Sequence, residues 1–139
     1  MSFSGPAEDR LAIRELIEAY ADAVTRNDAT AWIATWAEDS IWSLPDGTGA
    51  WITPRGRHAV LDVWTQAMKR FPGVFFQAWP GSVVIEGDRA ELRSYTRETF
   101  RTDAGVTTVC GIYDDECVRT DGCWLFRRRV FSASATTPG

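Results

Sequence analysis

At 139 residues the chain has the length of one domain, enough to bury roughly two thirds of the surface its unfolded form exposes. Fifteen Lys and Arg stand against 19 Asp and Glu, and apart from Arg127, Arg128 and Arg129 the basic residues are scattered, so no cationic face is available for a phosphate backbone and no nucleic-acid partner is expected. The opening MSFSGPAEDR lacks the basic and apolar segments of a signal peptide, and no run approaches the ~18 apolar residues of a membrane span, so the expectation is a cytoplasmic protein with no membrane partner.

Pro6 suits the first position of a helix, with Glu8 and Asp9 in its first turn, and Ile13, Leu16, Ile17, Tyr20, Ala21 and Val24 then recur at helical spacing. Asp28 is placed to cap a second, short helix in which Trp32, Ile33 and Trp36 share a face, ending near Asp39. A strand, IWSL at 41–44, leads through the turn PDGTG to WITPRGR. Val60, Leu61, Trp64, Ala67, Met68 and Phe71 then mark a third helix, which Pro72 stops. From residue 73 the period becomes that of strands: GVFFQAWPGSVVIE, AELRSYTRETF, VTTVCGIYDDECVR and CWLFRRRVF, joined by GDR, TDAG and TDG turns. Helices followed by an antiparallel meander predict a single α+β domain over residues 1–139, with the first helix covering one face of a curved sheet. Residues 1–5 and 134–139 are expected to be mobile.

Within PGVFFQAWPG, residues 72–81, Gln77 is a lone amide in an aromatic run closed by Pro-Gly at both ends, which reads as a short buried strand. Burying an unpartnered amide costs about 1–3 kcal/mol, so Gln77 either has a hydrogen-bonded structural post or faces a cavity. Seven tryptophans also call for a core, an interface or a ligand cavity, and Trp32, Trp36, Trp42, Trp64 and Trp79 are candidates for its wall.

The TDG turn at 120–122 allows two hairpins, a two-residue type I′ turn or a type I turn followed by a bulge at Gly122; the bulged form is preferred. It pairs Tyr113 with Arg129 and Asp115 with Arg127 on one face, and Ile112 with Val130 and Val118 with Trp124 on the other. Neither form sets Cys117 opposite Cys123, so Cys110, Cys117 and Cys123 read as reduced thiols. His58, the only histidine, reads as a solvated helix-start residue, and no metal site is expected. The chain carries no GxSxG, HExxH, phosphate loop or dinucleotide fingerprint, and no cofactor is expected.

The order of elements, with the phrases LAIRELIEAYADAVTRND, TWAEDSIWSL, GRHAVLDVW and GIYDDECVRTDGCWLFRRRVF, resembles the SnoaL-like branch of the NTF2-like superfamily. That branch includes polyketide cyclases, scytalone dehydratase and hexachlorocyclohexane dehydrochlorinase. The resemblance covers nearly the whole chain and implies an α+β cone: helices on a strongly curved, mostly antiparallel sheet around a deep apolar pocket. In the lyase members it also implies an Asp from the first helix that orients a His from the first long strand for proton abstraction. By the spacing from IEAY the Asp position falls on Thr25, and by the FFQAW strand the His position falls on Gln77, neither of which takes up a proton near neutral pH. The family's arginine on the last strand is matched by Arg129.

The expected function is therefore binding of a small hydrophobic, cyclic or aromatic molecule, with Tyr20, Thr25, Trp36, Trp42, Gln77, Tyr113 and Arg129 as contacts. Gln77 and Arg129 are expected to anchor the oxygen or carboxylate groups of that molecule, while a structural role, the usual one for a buried Arg facing a Tyr or carboxylate, stays open for Arg129 and more so for Asp115. Two alternatives stay open. One is a cofactor-free lyase, isomerase or hydrolase using Tyr20, Asp22, Asp115, Arg129 or a bound water. The other is a structural dimerisation module like the β subunits of ring-hydroxylating dioxygenases. A homodimer is expected through an outer sheet face carrying Trp124, Phe126 and Val130.

Overall fold

The computed structural model describes residues 2–138. Helix α1, Ala7–Arg26, starts at Pro6 and ends at Asn27, which takes a left-handed conformation (φ 53) and closes the last turn through its N–H to the helix carbonyls. Asp28 then caps α2, Ala29–Ile33, its Oδ1 accepting from the Ala31 N–H at 3.0 Å. This helix stops well before Asp39. The Thr35 hydroxyl closes it on the Trp32 carbonyl at 2.7 Å, and the Thr35 carbonyl accepts from the Phe126 N–H at 2.9 Å, so the chain is handed to the sheet at Trp36.

Strand β1, Phe3–Ser4, precedes α1. After α2 come β2, Trp36–Pro45, and β3, Trp51–Ile52, then α3, Arg57–Arg70, and the long strands β4, Phe75–Glu86, β5, Arg89–Thr102, β6, Gly105–Thr120, and β7, Cys123–Pro138. They form one curved, unclosed seven-stranded sheet in the order β1-β4-β5-β6-β7-β2-β3. The predicted meander β4 to β7 is antiparallel throughout, while β1 joins β4 and β2 joins β7 in parallel. The chain ends expected to be mobile are drawn into this sheet: Phe3 pairs with Val83, and β7 carries residues 134–138 along β6 until Pro138 meets Thr107. Met1 and Gly139, also in that expectation, lie outside the described residues.

Ile13, Ile17, Tyr20 and Val24 form the stripe that α1 lays on the concave face, against Val83, Ile85, Ala90 and Leu92. Each large apolar side chain buried this way contributes about 1.5–3 kcal/mol, which is why the helix crosses the sheet instead of standing off it.

Bulges decide which side chains reach that face. Pro80-Gly81, expected to end a strand, instead interrupts the pairing of β4 with β5 while β4 runs on. A Cβ on Gly81 would lie 2.5 Å from Tyr95 Cε2, so only glycine lets the ring cross there. The interruption exchanges the faces: Val83 and Ile85 are buried after it, Val74 and Phe76 before it, and Gln77 is exposed on the convex side.

On β7 the preferred bulge at the turn does not form. Asp121 (φ 51) and Gly122 (φ 81) both take positive φ, the two-residue type I′ geometry, and Thr120 pairs with Cys123. The extra residue is Arg127, where the register shifts between Glu116 and Cys117. Asp115 therefore faces Arg129, Tyr113 faces Phe131, Ile112 faces Ser132 and Val118 faces Leu125. Trp124 and Phe126 turn inward, as Arg129 does beyond the bulge. Cys117 is buried, and all three cysteines are free.

Gly111 lies under the Phe131 ring, and a Cβ there would be 2.6 Å from both Phe131 Cζ and Thr96 Oγ1. Gly111→Ala should overpack this contact and cost about 1–3 kcal/mol, measurable as a lowered urea midpoint with an unchanged slope.

Candidate ligand cavity

Between the concave face and the helices lies a cavity of ≈ 280 Å³. Helix α1 contributes Tyr20 and Val24, β2 Trp42 and Leu44, α3 Trp64 and Met68, and the segment between α3 and β4 Phe71 and Val74. The sheet supplies Phe76, Glu98, Phe100, Val109, Tyr113 and Phe131. Behind this wall Trp32 stacks on Trp64 at 4.7 Å between ring centroids, and Trp36 packs against Trp42. Trp32 and Trp36 are fully buried, and neither indole N–H meets a partner among the described residues. Trp36 is thus backing, not lining, and Trp79 is 48% exposed on the convex face. Of the five tryptophans expected on the wall, Trp42 and Trp64 line it.

The polar residues on the wall include Tyr20, Tyr113 and Glu98. Trp42 Nε1 donates to Tyr113 Oη at 3.3 Å, occupying one side of that oxygen. Burial raises Tyr20 and carries Tyr113 well above the usual phenol value, so both are neutral donors in ordinary buffers.

Arg129 does not line the cavity; it stands beneath it. Its Nε donates to Asp115 Oδ1 at 2.8 Å, and its Nη2 to Asp115 Oδ2 at 3.1 Å and Ser94 Oγ at 3.0 Å. Its guanidinium carbon sits 3.7 Å from the Tyr113 ring centre, 4.1 Å from Phe126 and 4.4 Å from Tyr20. Burial raises the Asp115 carboxyl while Arg129 pulls it back; the same burial acts against the guanidinium, but Asp115 holds it charged. Both residues are committed to each other, which removes Arg129 as a ligand anchor and Asp115 as a free acid or base.

Two further expectations change for geometric reasons. Thr25 Oγ1 accepts from the Phe76 N–H at 3.0 Å and donates to the Phe76 carbonyl at 3.2 Å, so it clips α1 to β4 instead of facing the cavity. The strand residue that faces inward beside it is Phe76, and a phenyl ring stands where the resemblance implied a histidine, while Gln77 points away. Asp22 is exposed and paired with Arg26 at 3.0 Å on the outer surface of α1.

Glu98 is the cavity residue that the sequence reading did not single out. In AELRSYTRETF the alternation Leu92, Ser94, Thr96, Glu98, Phe100 marks one face, and the buried Leu92 identifies it as the concave one. Glu98 pairs across the ladder with Phe76 on one side and Val109 on the other. Burial among these groups pushes its carboxyl up to about 7.

Comparisons with known proteins point one way. The SnoaL-like domain family matches residues 6–130. Among solved structures, one from Novosphingobium aromaticivorans described as a scytalone dehydratase is 22% identical, with TM-score 0.80 over 95% of this chain and 88% of that one. A type 2 hexachlorocyclohexane dehydrochlorinase is 17% identical, with TM-score 0.80 over 95% and 89%. Another N. aromaticivorans structure, described as an aromatic ring hydroxylase, is 27% identical, with TM-score 0.79 over 98% and 96%. The first two likenesses establish the NTF2-like cone and nothing of chemistry. No curated protein matches.

A carboxyl with a value of 4.5 when unfolded and about 7 when folded holds its proton longer in the folded state. Its contribution is therefore fully present below pH ~4.5 and is lost as pH rises through ~7. Chemical denaturation should show wild-type stability falling by about 1–2 kcal/mol more than that of Glu98→Gln between pH 5 and pH 8, allowing for solvent that reaches the cavity.

Proposed function

The chain belongs to the SnoaL-like domain family, and on that premise we propose that its cavity binds a small hydrophobic molecule, cyclic or aromatic in shape. The observation that carries this reading is the cavity itself: ≈ 280 Å³ of space with aromatic walls, which close packing of a purely structural cone would fill. Flat rings suit flat walls. The dehydrochlorinase among the similar structures is named for a chlorinated cyclohexane, a molecule of this class.

Orientation falls to Tyr20 and Tyr113. The Trp42 indole donates to Tyr113 Oη, and the Tyr20 hydroxyl lies close enough to perturb its ionisation, so the two phenols form one polar patch in an otherwise apolar wall, which suits a carbonyl or hydroxyl oxygen of the ligand. Gln77 and Arg129, the anchors expected from sequence, take no part in this reading.

The reading includes a homodimer formed through the convex face of the sheet. Trp124 and Phe126 cannot supply its apolar patch, since both are buried inside, but Phe75 and Trp79 are 57% and 48% exposed on that face of β4, beside Tyr95.

Titration with a panel of terpenoid, aromatic and polyketide-like compounds should quench or shift tryptophan emission, because Trp42 and Trp64 line the cavity. Tyr20→Phe and Tyr113→Phe should each weaken oxygen-bearing compounds by about 1 kcal/mol and leave hydrocarbons unchanged. A panel giving neither an emission change nor a thermal shift would remove the ligand. For the dimer, light scattering should report twice the chain mass for the wild type and a single chain for Phe75→Glu with Trp79→Glu; a wild-type mass of one chain at all concentrations rejects it.

A further inference from the structure

We propose that the cavity is a cage for a cation: it takes a hydrophobic amine, a cyclic or aromatic frame carrying a protonated or quaternary nitrogen, with Glu98 as its counter-ion. This names the ligand class of the binding reading above and rests on it.

The chain already houses one cation in this way. The Arg129 guanidinium carbon lies 3.7 Å from the Tyr113 ring centre and 4.1 Å from that of Phe126, while its Nε donates to Asp115 Oδ1 at 2.8 Å. A carboxylate closes one side of the charge and ring faces close the others, which is how a cation is held out of water. The cavity above repeats the arrangement without its cation. Glu98 stands on the wall with Phe76 beside it in the ladder and Phe100 next along the same face, and the hydrogen bonds and ion pairs among the described residues give it no partner. Trp64 has one face stacked on Trp32 at 4.7 Å, which leaves the opposite face to the cavity it lines, and an indole face attracts a cation more strongly than a phenol or phenyl face does.

The charge on the wall decides the sign of the ligand. Among the described residues that line the cavity, Glu98 is the one acid, and no Lys or Arg stands with it. Beneath the wall Arg129 and Asp115 cancel each other, so the ionised Glu98 leaves the interior one negative charge in excess. A carboxylate ligand would be repelled by that charge, and a neutral ligand would leave it unpaired among rings. An ammonium group removes it. Glu98 is half-buried and keeps part of its surface open on the cavity, as a counter-ion that an incoming group must reach requires. With the nitrogen beside Glu98, the frame of the amine lies against Trp42, Met68 and Phe131, within ≈ 280 Å³.

The test uses a matched pair, benzyltrimethylammonium and neopentylbenzene, which share one shape and differ by the charge on one atom. Tryptophan-emission titration at pH 8 should find the wild type binding the ammonium at least as tightly as the hydrocarbon, although the ion has more to lose on leaving water. Glu98→Gln should weaken the ammonium about tenfold or more and hold the hydrocarbon within about threefold, while Glu91→Gln, an exposed carboxyl on the same strand, changes neither. In wild-type protein carrying ¹³C-glutamate, the Glu98 carboxyl, which burial pushes up to about 7, should titrate at lower pH in the ammonium complex than in the hydrocarbon complex, because a bound cation favours the carboxylate. The titratable groups that share its wall, Tyr20 and Tyr113, stay neutral over this range, and the Arg129–Asp115 pair stays closed. An ammonium bound more weakly than the hydrocarbon overturns the inference and leaves the ligand-binding reading intact, as does Glu98→Gln binding the ammonium like the wild type. Equal carboxyl midpoints in the two complexes overturn it even if the variant does not fold. If neither compound binds, the inference falls, and the ligand-binding reading is judged by its own wider panel.

Discussion

A strand deals its side chains alternately to two faces, so one inserted residue exchanges the faces for everything beyond it. Of the register shifts in this sheet, two set the faces described above. At Pro80-Gly81 the reversal puts Val83 and Ile85 under α1 and, earlier in the same strand, Phe76 into the cavity. At Arg127 it lets Trp124 and Phe126 close the core at one end of β7 while Arg129 and Phe131 enter farther along. Without the second insertion Arg129 would point to solvent and Asp115 would be buried without a cation, a loss of about 3–5 kcal/mol for a domain whose whole stability is of that order.

The Arg129–Asp115 pair depends on that geometry and in turn fixes the floor of the cavity. A guanidinium pinned by Asp115 and Ser94 offers its flat faces to Tyr113, Phe126 and Tyr20. Those rings pack on a charge held in place, and two of them, Tyr20 and Tyr113, line the cavity. Rigidity in the polar layer therefore becomes placement in the apolar one.

Much of this was legible in the chain. Helical spacing from Ile13 to Val24, the cap at Asp28 and the stop at Pro72 follow from local chemistry, whereas the second helix ends at Ile33, not near Asp39, because Trp36 is taken into the sheet. The meander was legible from its alternation and turns. The faces were not, because a bulge leaves no signature beyond a glycine or a charged run, and Pro80-Gly81 reads as readily as a strand end. Gln77 was lost to that ambiguity: counting back from Val83 and Ile85 by twos places it inside, and the bulge places it outside. Glu98 was overlooked for another reason. A single glutamate in SYTRETF looks like any surface strand carboxylate until Leu92 and Phe100 are known to face inward with it.

The row Phe76, Glu98, Val109 puts a carboxyl of the cavity wall on β5, one strand from the position where the resemblance implied a histidine. Neighbours in one ladder row are about 5 Å apart and look into the same volume, so a proton-handling group moved from β4 to β5 still reaches a ligand lying against both. The move changes its support, however. A group on β4 beside α1 has the helix position of Thr25 next to it, whereas the half-buried Glu98 carboxyl on β5 stands beside Phe76 and Val109 on a wall shared with Tyr20 and Tyr113, and desolvation raises it. An imidazole titrates near neutral pH unaided and gains orientation from a carboxylate, whereas a carboxyl reaches that range only through desolvation. Likeness of fold therefore carries no information on which side chains of this cavity meet a ligand.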